Sequence, residues 1–313
     1  MGKVAILFAG QGAQHPGMCA ELAAAEPAAR AVFDMADSVR PGTSAQCFEG
    51  TAEELRQTLN TQPCVFAADL AVARALEAHG VRPSLVAGFS LGEVAALTFA
   101  GAFSDEEGFA LVCERARLME AAATAHPGAM RAVLKLDAQT VTELAAQAHD
   151  AWPVNYNSPK QTVVAGLPDA LDKLDALVRE AGGRSTALAV SGAFHSPLMA
   201  EAADGLAACM QSGHQPAAPK LPVLANATAE PYPASDDAAA ERAGLLSQQV
   251  CNPVQWVRTL EYAQAQGVDT FIEVGPGHTL TGLVKRTLKD VTALACETPE
   301  QLAEALAAVE GAE

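Results

Sequence analysis

The chain has 313 residues, half of them hydrophobic and few aromatic, with a formal net charge of −17. That length holds one large domain or two around an ample core. The acidic balance excludes the basic footprint of non-specific nucleic-acid binding, and no run reaches the roughly 18 uninterrupted apolar residues of a membrane span.

The N-terminal stretch "MGKVAILFAGQGAQ" has one lysine and a short apolar run. It lacks the long apolar core of a signal peptide and predicts a first buried strand, Lys3 to Phe8, which places the protein in the cytoplasm. A glycine-rich turn follows, then helices to about residue 60, broken near "RPGTSAQ". "QPCVFAADLAVARALEAHG" predicts a helix closed by Gly80. Next come a strand, "PSLVAGF", an amphipathic helix after Ser90, and a further helix from Asp105 with Ser104 as N-cap.

From residue 127 the rhythm changes to strand "GAMRAVLKL", helix "DAQTVTELAAQAHD", strands "PVNYN" and "QTVVAG", helix "LPDALDKLDALVREAGG" and strand "RSTALAV". This β-α-β-β-α-β order is that of a ferredoxin-like unit. The predicted fold is therefore α/β: a large α/β-hydrolase-like parallel-sheet domain, residues 1–126 and 193–313, carrying an inserted small ferredoxin-like subdomain, residues 127–192. Such an insertion leaves a cleft at the domain boundary. Beyond it, "KLPVLANAT" and "VDTFIEVGPG" predict strands, "AEPYPASDDAAAE" a polar surface loop, and "TPEQLAEALAAVEGAE" an exposed helix or tail.

The seven cysteines are scattered without a C-x-x-C pair or zinc spacing, so they read as reduced thiols, mostly buried, and no metal site is expected. "GFSLG", residues 88–92, matches the G-x-S-x-G nucleophile elbow. There a serine on a sharp strand-to-helix turn exposes its hydroxyl, flanking glycines leave room for the turn, and the next amide, that of Leu91, can donate to an oxyanion. A serine N-cap between glycines is the plain structural alternative. A serine needs a base. Of seven histidines, His79, His126, His149 and His214 lie at helix ends or in polar loops, and His15 and His278 in glycine-containing turns. His195, in "SGAFHSPLM", lies where the chain returns from the small domain, at the expected cleft.

Several stretches together resemble the malonyl-CoA:acyl carrier protein transacylases and the acyltransferase domains of polyketide synthases. They are "GQGAQ" at 10–14, "TQP" at 61–63, "GFSLGE" at 88–93, "ERARLM" at 114–119, "VNYNSPKQTVVAG" at 154–166, "AFHSPLM" at 193–199, "NPVQW" at 252–256 and "EVGPGHTLTGLVKR" at 273–286. They follow the family's order and spacing over nearly the whole chain. The resemblance implies Ser90 as nucleophile and His195 as its base, oriented by a backbone carbonyl near Gln249. It implies backbone amides of Gln11 and Leu91 as oxyanion donors, and Arg115 as partner of the malonyl carboxylate. From the residues alone Arg115 and Arg117 compete, and either could be a surface arginine paired with Glu114 or Glu120.

Gln62, Asn155 and Asn157 are candidates to line the site, with capping or turn roles as alternatives. Phe194 would crowd an α-methyl group on the acyl chain and so favours malonyl. Ala9 stands where the family often has proline, and Phe89 where it usually has histidine; Phe89 cannot hydrogen-bond, which makes a drier acyl pocket. The implied reaction is ping-pong acyl transfer from malonyl-CoA to the phosphopantetheine thiol of an acyl carrier protein, by a monomer, with no cofactor and no metal. Lys285, Arg286 and Lys289 are candidates for docking an acidic carrier. An acyl-thioester hydrolase with the same Ser/His pair and a non-catalytic thioester-binding subunit are the rival readings.

Overall fold

A computed structural model describes residues 2–310. In chain order the elements are β1 (Lys3–Phe8), α1 (Ala20–Ala25), α2 (Pro27–Val39), α3 (Thr43–Glu49), α4 (Ala52–Arg56), α5 (Thr58–Ala78), β2 (Leu85–Gly88), α6 (Gly92–Phe99) and α7 (Asp105–Ala125). The small unit follows as β3 (Ala129–Leu134), α8 (Ala138–Ala148), β4 (Ala151–Ser158), β5 (Gln161–Gly166), α9 (Pro168–Glu180) and β6 (Arg184–Ala187). The chain closes with α10 (Ala200–Gln211), β7 (Val223–Leu224), α11 (Ala239–Gln248), α12 (Trp256–Ala265), β8 (Val268–Val274), α13 (Thr279–Thr287), β9 (Thr292–Cys296) and α14 (Pro299–Glu310).

Two sheets organise these elements. The large one has the order β7-β2-β1-β8-β9, and every pairing in it is parallel. Strand β1 runs through its centre and is apolar on both faces because helices cover both. Val4, Ile6 and Phe8 join the core under α2, α5, α6 and α7, while Ala5 and Leu7 join the core under α12 and α13. The small sheet has the order β4-β5-β3-β6 with antiparallel pairing, the arrangement expected of βαββαβ connectivity. Val154 and Tyr156 exchange backbone hydrogen bonds with Val254, which ties β4 to the segment ahead of α12.

Several boundaries depart from the sequence reading. Helix α5 begins at Thr58, four residues before the expected start, and carries Pro63 inside it, where proline supplies no N–H to the helical ladder. Helix α6 is buried along its whole length and is not amphipathic. Strand β9, "TALAC", was not foreseen; it forms the sheet edge beside β8. "KLPVLANAT" forms only the two-residue β7, because the chain turns at Ala225, whose N–H donates to Glu230 and whose carbonyl accepts from Ala229. "RSTALAV" ends as a strand at Ala187 in β6, with one further backbone bond from the Leu188 N–H to the Met130 carbonyl, and Leu188 and Val190 border the site cavity. The loop at 229–241 is not simply polar surface: Tyr232 is buried, and buried Arg242 donates to the carbonyls of Pro233 and Ser235. Helix α14 buries Leu302 and Ala305 against the core, and the three residues after Glu310 lie outside the described ones.

Ser104 caps α7 with a reciprocal Ser104–Glu107 capping box, as its sequence predicted. All seven cysteines are free thiols, four of them buried. Among the described residues no helix is long and apolar enough to cross a membrane, and no cluster of three or more His, Cys, Asp or Glu side chains is placed to hold a metal ion.

Candidate active site

Strand β2 ends at Gly88 and α6 starts at Gly92, so Ser90 occupies the sharp turn between them with φ at 56°. That left-handed backbone disfavours a side chain and needs support from its surroundings. The two glycines are steric requirements. A Cβ on Gly88 would overlap the backbone of Gly92 and Glu93, and one on Gly92 would run into the carbonyls of Phe8 and Ala9 at the end of β1.

His195, on the segment that returns from the small sheet, also has positive φ, 62°, and is buried. Its Nε2 lies 2.8 Å from Ser90 Oγ, and its Nδ1 lies 2.9 Å from the backbone carbonyl of Gln249. A carbonyl only accepts, so the proton sits on Nδ1 and the bare Nε2 faces the serine hydroxyl. This is the geometry of a general base held by a fixed orienter, with a carbonyl in place of an acid. Burial first, and the nearby Arg115 charge second, push the His195 imidazole down to about 4, so it is neutral at physiological pH.

Arg115 is fully buried, on the apolar face of α7 with Leu111 and Met119. Its Nη1 donates to Gln62 Oε1 at 2.7 Å, and its Nη2 donates to Gln249 Oε1 at 2.9 Å and to Ser90 Oγ at 3.2 Å. Its Nε has no partner, and burial lowers the guanidinium from 12.5 to about 10. Arg117 is exposed and paired with Glu114, so burial separates the two arginines that the sequence left in competition.

A cavity of about 190 Å³ opens over Ser90 and His195. Gln11, Asn155, Asn157, Phe89 and Phe194 all line it. Asn157 Oδ1 is buried without a hydrogen-bond partner. Phe89 rests edge-on against Trp256, ring centroids 5.2 Å apart, and presents an apolar wall. Gln62 does not line the cavity; it acts behind it, through Arg115. Leu91 is buried at the N-cap of α6. Among the described residues no protein group accepts from the Gln11 or Leu91 amide, whereas the Ser90 amide donates to Asn226 Oδ1 at 2.7 Å. Of the basic trio, Lys285 and Arg286 lie in the last turn of α13, and Arg286 donates to Gln161 Oε1.

Three residues near the nucleophile were missed by the sequence reading: Asn226, Glu93 and Tyr232. Asn226 Nδ2 donates to the Gly88 carbonyl at 2.6 Å, so its side chain spans the elbow from Gly88 to Ser90. Glu93 Oε2 accepts from the Asn226 amide at 3.0 Å and from Gln249 Nε2 at 3.2 Å, and Oε1 accepts from the Tyr232 hydroxyl. A signal existed for Glu93, the one charged residue of the apolar helix "GEVAALTF". None existed for Asn226, which lies in a turn between short apolar runs, or for Tyr232, set among prolines and acids.

Comparison with known proteins agrees with this fold. The family described as acyl transferase domain matches residues 6–305. A malonyl CoA-acyl carrier protein transacylase of Escherichia coli O157:H7 is 38% identical over 312 residues, covering 98% of this chain and 99% of the relative. The structure of the malonyl CoA-acyl carrier protein transacylase from Coxiella burnetii superposes with a TM-score of 0.93 at 35% identity, over 98% of this chain and 97% of that one. A malonyl-transacylase solved in complex with a type II polyketide synthase acyl-carrier protein superposes equally well, at 36% identity over 98% and 99% of the two chains. On its matched length, its fold and its relatives, this chain belongs to the acyl transferase domain family.

Proposed function

We propose that the chain is a malonyl-CoA:acyl carrier protein transacylase that works through a serine ester. The observation that carries the reading is the environment of one oxygen: Ser90 Oγ has a neutral, oriented imidazole at 2.8 Å and a buried guanidinium at 3.2 Å. The first activates a nucleophile; the second provides for an anionic substrate tail.

In the first half-reaction Nε2 of His195 takes the Ser90 proton as Oγ attacks the thioester carbonyl. The oxyanion forms against the Gln11 and Leu91 amides, and CoA leaves as its thiol with the proton from His195. The malonyl carboxylate takes the fork of Arg115, which Gln62 and Gln249 hold in orientation. That pairing cancels the positive charge depressing His195, so the substrate itself makes the base stronger. In the second half-reaction His195 deprotonates the phosphopantetheine thiol of the carrier protein, which attacks the ester and restores Ser90. Both halves balance with serine, histidine and two thiols alone, so the mechanism calls on no cofactor and no metal.

Phe89 and Phe194 keep the wall around the ester apolar, and Phe194 leaves little room for an α-methyl group. Asn155 and Asn157 offer amide groups to the thioester arm. The three principal groups come from one chain, consistent with a working monomer. The elements from β3 to β6 form an inserted subdomain, and the enzyme works in the cytoplasm.

The test is CoA release from malonyl-CoA with and without a phosphopantetheinylated carrier protein. A transacylase gives a stoichiometric burst alone and sustained turnover only with the carrier. Equal turnover with water as the sole acceptor would make the protein a hydrolase; no burst would make it a non-catalytic binder.

A further inference from the structure

We propose that Tyr232, Glu93 and Asn226 form a positioning relay that holds the Ser90 elbow in its reactive shape during acyl transfer, with Asn226 as the member touching the nucleophile's backbone. The inference rests on the acyl-transfer reading above and extends it to residues outside the Ser–His–Arg set.

The nucleophile sits in a backbone conformation that nothing in its own residue type favours. Asn226 supplies the constraint from outside the strand. One side-chain amide bonds both flanks of the turn, accepting from the Ser90 N–H and donating to the Gly88 carbonyl. It thereby also occupies the serine's own amide and leaves the oxyanion to others.

Asn226 is itself fixed. Its N–H donates to Glu93 Oε2, and Glu93 is on α6, the helix that the elbow opens. The Tyr232 hydroxyl fixes the other carboxylate oxygen. Gln249 Nε2 links the same carboxylate to the Ser90 carbonyl at 2.6 Å, and Gln249 also carries the carbonyl that orients His195. Every member is buried, so each bond lies in a low-dielectric setting where misplacement is costly.

As a carboxylate Glu93 accepts from all three donors at once; protonation of the oxygen that faces Tyr232 would reverse that bond and remove the charge that holds the other two. Burial pushes it up to about 7 against the opposing pull of Tyr232, Asn226, Gln249 and the Arg115 charge. Among the described residues Tyr232 and Arg115 are the titratable groups that act on it. The relay is therefore held at neutral and alkaline pH and loosens as pH falls through that value.

The test measures the single-turnover rate of CoA release from malonyl-CoA, and its KM, between about pH 5.5 and 8.5. Tyr232→Phe removes one hydroxyl and keeps the packing. It should move the acid limb of the rate upward by as much as about one pH unit, with KM nearly unchanged. Glu93→Gln cannot titrate and should lose that limb. Asn226→Ala should slow the acylation rate about 10- to 100-fold, with KM within about threefold. A Tyr232→Phe profile that overlays wild type, or an Asn226→Ala loss expressed in KM, overturns the relay; if Asn226→Ala does not fold, Tyr232→Phe decides. A wild type that forms no acyl-enzyme refutes the transferase reading and the relay with it, whereas a reactive wild type with an unshifted Tyr232→Phe refutes the relay alone.

Discussion

Replacing Arg115 with methionine removes a buried charge while keeping most of the volume. In the free protein the guanidinium donates to two amide oxygens and a hydroxyl, and its Nε has no partner. The fall from 12.5 to about 10 corresponds to about 3 kcal/mol by which burial disfavours the cation. A substrate carboxylate offsets that deficit through charge-assisted bonds worth about 1.5–3 kcal/mol each. Arg115→Met should therefore lower kcat/KM for malonyl-CoA by about 3 kcal/mol, roughly a hundredfold. Acetyl-CoA has no carboxylate to lose and should react at least as well as with wild type. The assay is CoA release with each thioester, with a thermal melt to establish folding, because Gln62 and Gln249 each lose a donor. An equal fall for both substrates would show that Arg115 only props the pocket, and an unchanged malonyl rate would remove it from the mechanism.

Protonation should leave a matched pair of signatures on stability. His195 falls from 6.5 unfolded to about 4 folded, so its contribution is present above 6.5 and is lost as pH falls through about 4. Glu93 rises from 4.5 unfolded to about 7 folded, so its contribution is present below 4.5 and is lost as pH rises through about 7. Between about pH 4.5 and 6.5 the two slopes oppose each other. Relative to wild type, Glu93→Gln should gain stability with rising pH and His195→Gln should lose it, each by up to about 1.4 kcal/mol per pH unit. Urea unfolding at several pH values measures this, and variants that run parallel to wild type would contradict the assignments. Gly92→Ala drives a methyl group into the Phe8 and Ala9 carbonyls and should cost about 3 kcal/mol or more. A melting temperature like wild type's would refute that steric reading of the elbow.

The sequence exposed the parts of the site that depend on local geometry. Ser90 could be read from a strand, a turn and a helix within a dozen residues, because sterics at Gly88 and Gly92 are settled there. The βαββαβ order could be read for the same reason, as a succession of local periods. What stayed hidden depends on tertiary burial. Arg115 and Arg117 are two residues apart and so face opposite sides of α7; the side with Leu111 and Met119 meets the core, and that neighbourhood was a usable signal left unused. Tyr232 and Asn226 carry no local mark, since what defines them is a carboxylate more than a hundred positions away. Strand β9 escaped because its partner β8 is needed to make an edge of so short a run.

The central claim is that the Ser90 hydroxyl, with His195 at 2.8 Å, becomes the ester that carries the acyl group. Intact-mass and peptide analysis after brief exposure to malonyl-CoA tests it directly. One malonyl adduct per chain is expected, on the peptide containing Ser90, absent from Ser90→Ala and discharged by a phosphopantetheinylated carrier protein. An adduct on another residue, or one that persists in Ser90→Ala, would contradict it.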